Sequence, residues 1–140
     1  MRTISFTIPG QPVGKGRPRI GRVGAHARMF TPEKTASYEG LVAHEGRLAM
    51  GGTELLTGPV RITIFIDMQI PASWSAKKRA LAMEGKTHPT TKPDCSNVLK
   101  AIEDGLNGVV YRDDVQIVEG WFRKRYAEKP QVQVLVSEVE

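Results

Sequence analysis

The hydrophobic positions change period several times along the chain, and each change marks an element. Residues 3–8 alternate, with Ile4, Phe6 and Ile8 on one side, which predicts a strand ended by Pro9-Gly10. Thr31-Pro32-Glu33 then reads as a helix start: Thr31 suits a cap, Pro32 the first helical position, and Glu33 the positive helix end. Tyr38, Leu41, Val42, Glu45 and Leu48 continue at helical spacing until Gly51-Gly52. Residues 59–68 give the clearest strand. Val60, Ile62, Ile64, Ile66 and Met68 share one face, and Arg61, Thr63, Phe65 and Asp67 the other.

The second half continues in the same way. Residues 73–83 predict a helix with Trp74, Ala80 and Leu81 as its apolar side, followed by a polar, threonine-rich loop over 84–92. Residues 96–106 predict a third helix, capped by Ser96, whose buried stripe is Val98, Leu99, Ile102 and Leu106. Strands follow over 115–126 and 132–139, joined near Glu128-Lys129-Pro130. Strands interleaved with helices in this order predict an α+β fold, a small mixed sheet with helices packed on one face. At 140 residues the chain is expected to form a single domain, 1–140, with a real core.

Charge changes the picture. Twenty Lys and Arg against 15 Asp and Glu leave a formal +5, which points toward an anionic partner such as nucleic acid. Lys15, Arg17, Arg19, Arg22 and Arg28 lie in one stretch with no acid before Glu33. Its glycines and prolines exclude a regular helix, leaving an irregular basic loop or ribbon. Arginine pairs with phosphate in bidentate fashion, so DNA contact by this segment is one reading and a merely solvated surface the other. Arg123, Lys124 and Arg125 form a second cluster beside Trp121, Phe122 and Tyr126, suited to base stacking or, for Trp121, to core or dimer packing.

The lone Cys95 forms no intrachain disulfide and no zinc-finger spacing, and it fits a reducing cytoplasm as a small packing residue. His26, His44 and His88 lack metal-ligand spacing, and neither a serine-hydrolase nor a P-loop pattern occurs. The N-terminal strand pattern is unlike a signal peptide, and no stretch reaches membrane-spanning length, so no membrane partner is expected.

The chemistry concentrates around the third helix. Asp94 stands just before it and Asp113-Asp114 just after it. Asn97, Lys100 and Asp104 form a polar stripe opposite the apolar one. One reading makes Asp94 and Ser96 helix caps and Asp113-Asp114 a turn. The other brings the acids to a hard cation, which binds through one or two carboxylates, waters and phosphate oxygens. Such a cation activates phosphodiester hydrolysis, and a lysine offsets the developing charge. About ten helical residues span roughly 15 Å, so the two ends meet only if Asp114 folds back beside the helix.

Three segments resemble the RusA family of Holliday junction resolvases: FTIPGQPVGKGRPR (6–19), KPDCSNVLKAIEDGLNG (92–108) and YRDDVQIV (111–118). FTPEKTASYE (30–39) is similar as well. The resemblance implies a RusA-like homodimer that binds branched DNA, namely the four-way junction. It implies Mg²⁺-dependent cleavage, with Mn²⁺ as a substitute, in DNA recombination and repair. It implies catalytic roles for Asp94, Asp114 and Lys100, metal binding by Asp94, Asp113 and Asp114, and support from Asn97. Ser96 stands where the family pattern has a second aspartate. A neutral hydroxyl is a weaker ligand, so a non-catalytic or weakly catalytic branched-DNA-binding protein is the alternative.

Overall fold

The computed structural model describes residues 1–16, 19–23, 26–30 and 32–140, with 19, 22–23 and 26–30 described by backbone alone. Strand β1 (Thr3–Pro9) opens the chain, and β2 (Arg19–Val23) and β3 (His26–Phe30) pair as a separate antiparallel ribbon. Helix α1 (Glu33–Met50), strand β4 (Val60–Gln69) and helices α2 (Ala76–Met83) and α3 (Cys95–Gly105) follow. A short 3₁₀ turn (Asp114–Gln116) leads into β5 (Ile117–Ala127), and β6 (Gln131–Glu138) completes the fold.

The main sheet has the order β1-β6-β4-β5. The β1/β6 and β6/β4 pairs are antiparallel and β4/β5 is parallel, so the sheet is mixed as expected. Alternation along β1, β4 and β6 puts Ile8, Ile62, Ile64, Ile66, Val132, Val134 and Val136 on one buried face. Tyr38 and Val42 of α1 and Val98, Ala101 and Ile102 of α3 close over it.

Two glycines set how closely α1 and α3 approach. A Cβ on Gly105 would lie 3.0 Å from Val42 and 3.1 Å from the Glu39 carbonyl oxygen, and one on Gly46 would lie 2.9 Å from Leu106. Helix α1 stops where Gly51 turns left-handed at φ 59° and returns its N–H to the Arg47 carbonyl.

Several local expectations shift. Thr31 lies outside the described residues, and Pro32 occupies the α1 cap position without a side-chain bond. Leu48 is exposed, because Tyr38, Val42, Gly46 and Met50 carry the buried stripe of α1. Helix α2 starts later than residue 73: Ser75 caps it by accepting the Lys78 N–H at 3.2 Å. On α2 it is Ala82 that is buried, while Ala80 faces solvent. Asp94, not Ser96, caps α3, because its carboxylate stands three residues before the Asn97 N–H it accepts. Residues 114–116 form a turn rather than a strand start, leaving Val115 exposed.

Candidate active site

Helix α3 carries its apolar residues on one side and presents Asn97, Lys100 and Asp104 on the other. At its start, Asp94 accepts two hydrogen bonds from Asn97, from the side-chain Nδ2 at 2.7 Å and the backbone N–H at 3.3 Å. These bonds hold the carboxylate against the first helical turn. One turn further on, Lys100 Nζ donates to Asp104 Oδ1 at 2.9 Å and to Asp114 Oδ2 at 3.3 Å. Asp114 therefore does fold back onto α3, at the level of Lys100. The buried Val109, Val110 and Tyr111 make that return, and the Tyr111 hydroxyl is anchored on the Glu103 carbonyl at 2.7 Å.

The charges in this cluster are mutually adjusted. Bonding to Asp104 first, and to Asp114 in addition, holds the Lys100 pKa above its ordinary value despite partial burial. The side-by-side carboxyls of Asp113 and Asp114 move apart: the hydrogen bond between them raises Asp113 and lowers Asp114, and Lys100 lowers Asp114 further. Of the two, Asp114 is the carboxyl whose anion the Lys100 ammonium stabilises. Glu103 behind it is raised, chiefly by burial and then by the Asp114 charge.

The basic segment after β1 runs across this site. Lys15 N–H donates to the Asn97 carbonyl at 2.9 Å, and Lys15 Nζ bonds Glu39 and lies 3.1 Å from Asp104 Oδ2. Asp104 thus takes Lys100 on one oxygen and Lys15 on the other. The glycines around Lys15 permit the close approach. A Cβ on Gly14 would lie 3.1 Å from Pro93 and 3.2 Å from Asn97, and one on Gly16 would lie 2.8 Å from Pro32. Lys15 is accordingly engaged with two carboxylates. Arg17 lies outside the described residues, as do the side chains of Arg19, Arg22 and Arg28, whose backbone forms the β2–β3 ribbon.

Two side chains that sequence reasoning left without a role organise the aspartates. Gln116 donates to the Leu56 and Gly58 carbonyls at 2.8 and 2.9 Å and accepts from the Arg112 and Asp113 N–H groups at 2.8 and 3.1 Å. It ties the Asp113-Asp114 turn to the loop before β4. The available signal was its position three residues after an aspartate, half of a capping-box pattern. Asp104, noted only as part of the polar stripe, is the second. Among the described residues no group of three His, Cys, Asp or Glu side chains is placed to hold a metal ion. His44 and His88 are exposed, and Cys95 is half-buried and free.

A basic segment strapped over a helix that carries a carboxylate cap, a charge-paired lysine and a facing aspartate pair is an arrangement suited to phosphate chemistry. The chain matches the family described as endodeoxyribonuclease RusA over residues 9–137, and it belongs to that family. RusA proteins are Holliday junction resolvases, endonucleases that act on branched DNA. The chain is also 38% identical over 144 residues to YqaN, an uncharacterized protein of Bacillus subtilis (strain 168), across 99% of each chain. No helix among the described residues is long and apolar enough to cross a membrane.

Proposed function

We propose that this chain is a Mg²⁺-dependent endonuclease that cuts four-way DNA junctions as a cytoplasmic homodimer. The observation that carries the reading is the placement of Lys100 Nζ against Asp114 on the helix that Asp94 caps. It supports the reading by bringing together two of the residues that the family resemblance assigns to catalysis, Lys100 and Asp114, while Asp94 caps the same helix. Two symmetric incisions need two sites related by a two-fold axis, which a homodimer provides.

The donor set fits a hard cation. It is all oxygen, and Asp113 and Asp114 are adjacent, with Asp114 beside the Lys100 ammonium. Asp113 and Asp114 would hold Mg²⁺, or Mn²⁺ in its place, with waters and phosphate oxygens; Asp94 stands at the start of α3 and is not grouped with them as a third carboxylate among the described residues. The cation would supply Lewis-acid stabilisation of charge on the phosphate. Asn97 orients the Asp94 carboxylate through its short side-chain bond. Lys100 stays protonated, and two of its three N–H groups are taken by Asp104 and Asp114, leaving one for a phosphate oxygen. Water attacks phosphorus and gives up a proton to solvent, the ester P–O bond breaks, and the leaving oxygen takes up a proton to become a hydroxyl, while the lysine charge offsets the negative charge that builds up on the phosphate oxygens.

The test compares Asp94→Asn, Asp114→Asn and Lys100→Met with wild type in cleavage of a labelled four-way junction. Loss of at least about a hundredfold in each, with junction binding retained in Ca²⁺, is expected. Cleavage by either aspartate variant at the wild-type rate would remove the site assignment. Binding without cleavage by the wild type in both Mg²⁺ and Mn²⁺, with activity appearing on Ser96→Asp, would favour the binding-only alternative.

A further inference from the structure

Lys124 is on β5, at the position paired with the fully buried Ile66, so it occupies a core-side position of the sheet. Its ammonium meets no carboxylate among the described residues. It donates instead to two backbone carbonyls, Thr91 at 2.9 Å and Pro93 at 3.0 Å. A partly buried ammonium needs such partners, and a bond from a charged donor is stronger than one between neutral groups. The choice of partners is what matters. The Pro93 carbonyl belongs to the peptide that joins Pro93 to Asp94. Fixing that peptide plane fixes the direction in which the chain delivers Asp94 to the start of α3.

The same segment is also held by backbone packing. Gly14 lies close against Pro93 and Asn97, and the Lys15 N–H bonds the Asn97 carbonyl at 2.9 Å. Asp94 therefore enters the helix from a segment held both by the strap and by the Lys124 ammonium. Residues 90–92, which lead into it, are exposed and contribute little packing of their own.

We infer that Lys124 is a positioning residue: by clamping the Thr91 and Pro93 carbonyls it sets the orientation of Asp94, and it does so without touching DNA. The inference rests on the proposed role of Asp94, but its first readout does not. The Asp94 carboxylate accepts the Asn97 N–H, so amide exchange at Asn97 in the metal-free protein reports whether the cap is held. Lys124→Met is expected to speed Asn97 exchange about tenfold or more. It is expected to lower the single-turnover rate of junction cleavage about 10- to 100-fold while junction affinity in Ca²⁺ stays within about twofold. Lys124→Arg, which keeps charged donors, recovers most of both.

Unchanged Asn97 exchange in Lys124→Met overturns the clamp. Faster exchange with a wild-type cleavage rate overturns the positioning role, and a loss confined to affinity makes Lys124 a DNA contact instead. A wild type that fails to cut any junction removes the proposed function, while the exchange result still decides whether Lys124 holds Asp94.

Discussion

Replacing Gly105 by alanine sets helix propensity against packing where α1 and α3 touch. By propensity alone the change stabilises a helix by up to about 1 kcal/mol. The added methyl, however, would lie 3.0 Å from both Cβ and Cγ1 of Val42 and 3.1 Å from the Glu39 carbonyl oxygen. Val42 is fully buried and branched at Cβ, and Glu39 contributes backbone, so neither yields without moving one helix against the other. Overpacking costs about 1–3 kcal/mol, and three close contacts at once place this case toward the upper end. The net expectation is a loss of about 1–2 kcal/mol, or about 3–7 °C in Tm for a domain of this size. The control is Gly40→Ala on the exposed side of α1, where a Cβ meets nothing within 4 Å, and there alanine is expected to stabilise. Thermal and urea denaturation followed by circular dichroism read both. Gly105→Ala matching the gain of Gly40→Ala would refute the account of how α3 is seated. Because α3 also carries Asp94 and Lys100, the displaced helix is expected to cut junctions more slowly.

Gln116→Glu keeps the shape of the side chain but turns two donors to the Leu56 and Gly58 carbonyls into acceptors; a loss of about 2–3 kcal/mol in urea denaturation is expected, and a change within error would show that these bonds do not hold the turn. Burial works against the charge of Lys15, yet bonding to Glu39 and Asp104 outweighs it and holds its pKa above 10.5. A raised folded pKa gives stabilisation that is complete below the unfolded value and lost as pH climbs through the folded one. Lys15→Met is therefore expected to be less stable at neutral pH and to show a shallower stability loss above about pH 10.5; parallel alkaline profiles would contradict the pairing. Ser96→Asp adds a carboxylate to the first turn of α3 and is expected to lower the Mg²⁺ concentration for half-maximal cleavage several-fold. An unchanged Mg²⁺ requirement would place Ser96 outside the metal site.

What the sequence discloses depends on whether the cause is local. The strict alternation of β4 and the apolar stripe of α3 declare themselves, because burial on one face imposes a period. The family segments similarly single out Asp94, Lys100 and Asp114. The cap of α3 was misplaced by two residues because both Asp94 and Ser96 suit a cap, and only the geometry of the Asn97 N–H distinguishes them. The Asp114–Gln116 turn was hidden by Val115, whose branched side chain favours a strand, while the bonds that bend the chain there reach back to residues 56 and 58. Lys15 read as one of several cations aimed at DNA. Its engagement with Glu39 and Asp104 joins three segments far apart in sequence, which no local pattern encodes.

Mapping the nicks that the purified chain makes in a strand-labelled four-way junction in Mg²⁺, beside a linear duplex of the same sequence, decides whether it resolves junctions. Paired, symmetric nicks near the crossover of the junction are expected, and none in the duplex. Equal cutting of junction and duplex, or no cutting of either in Mg²⁺ and Mn²⁺, would show that the chain is not a junction resolvase.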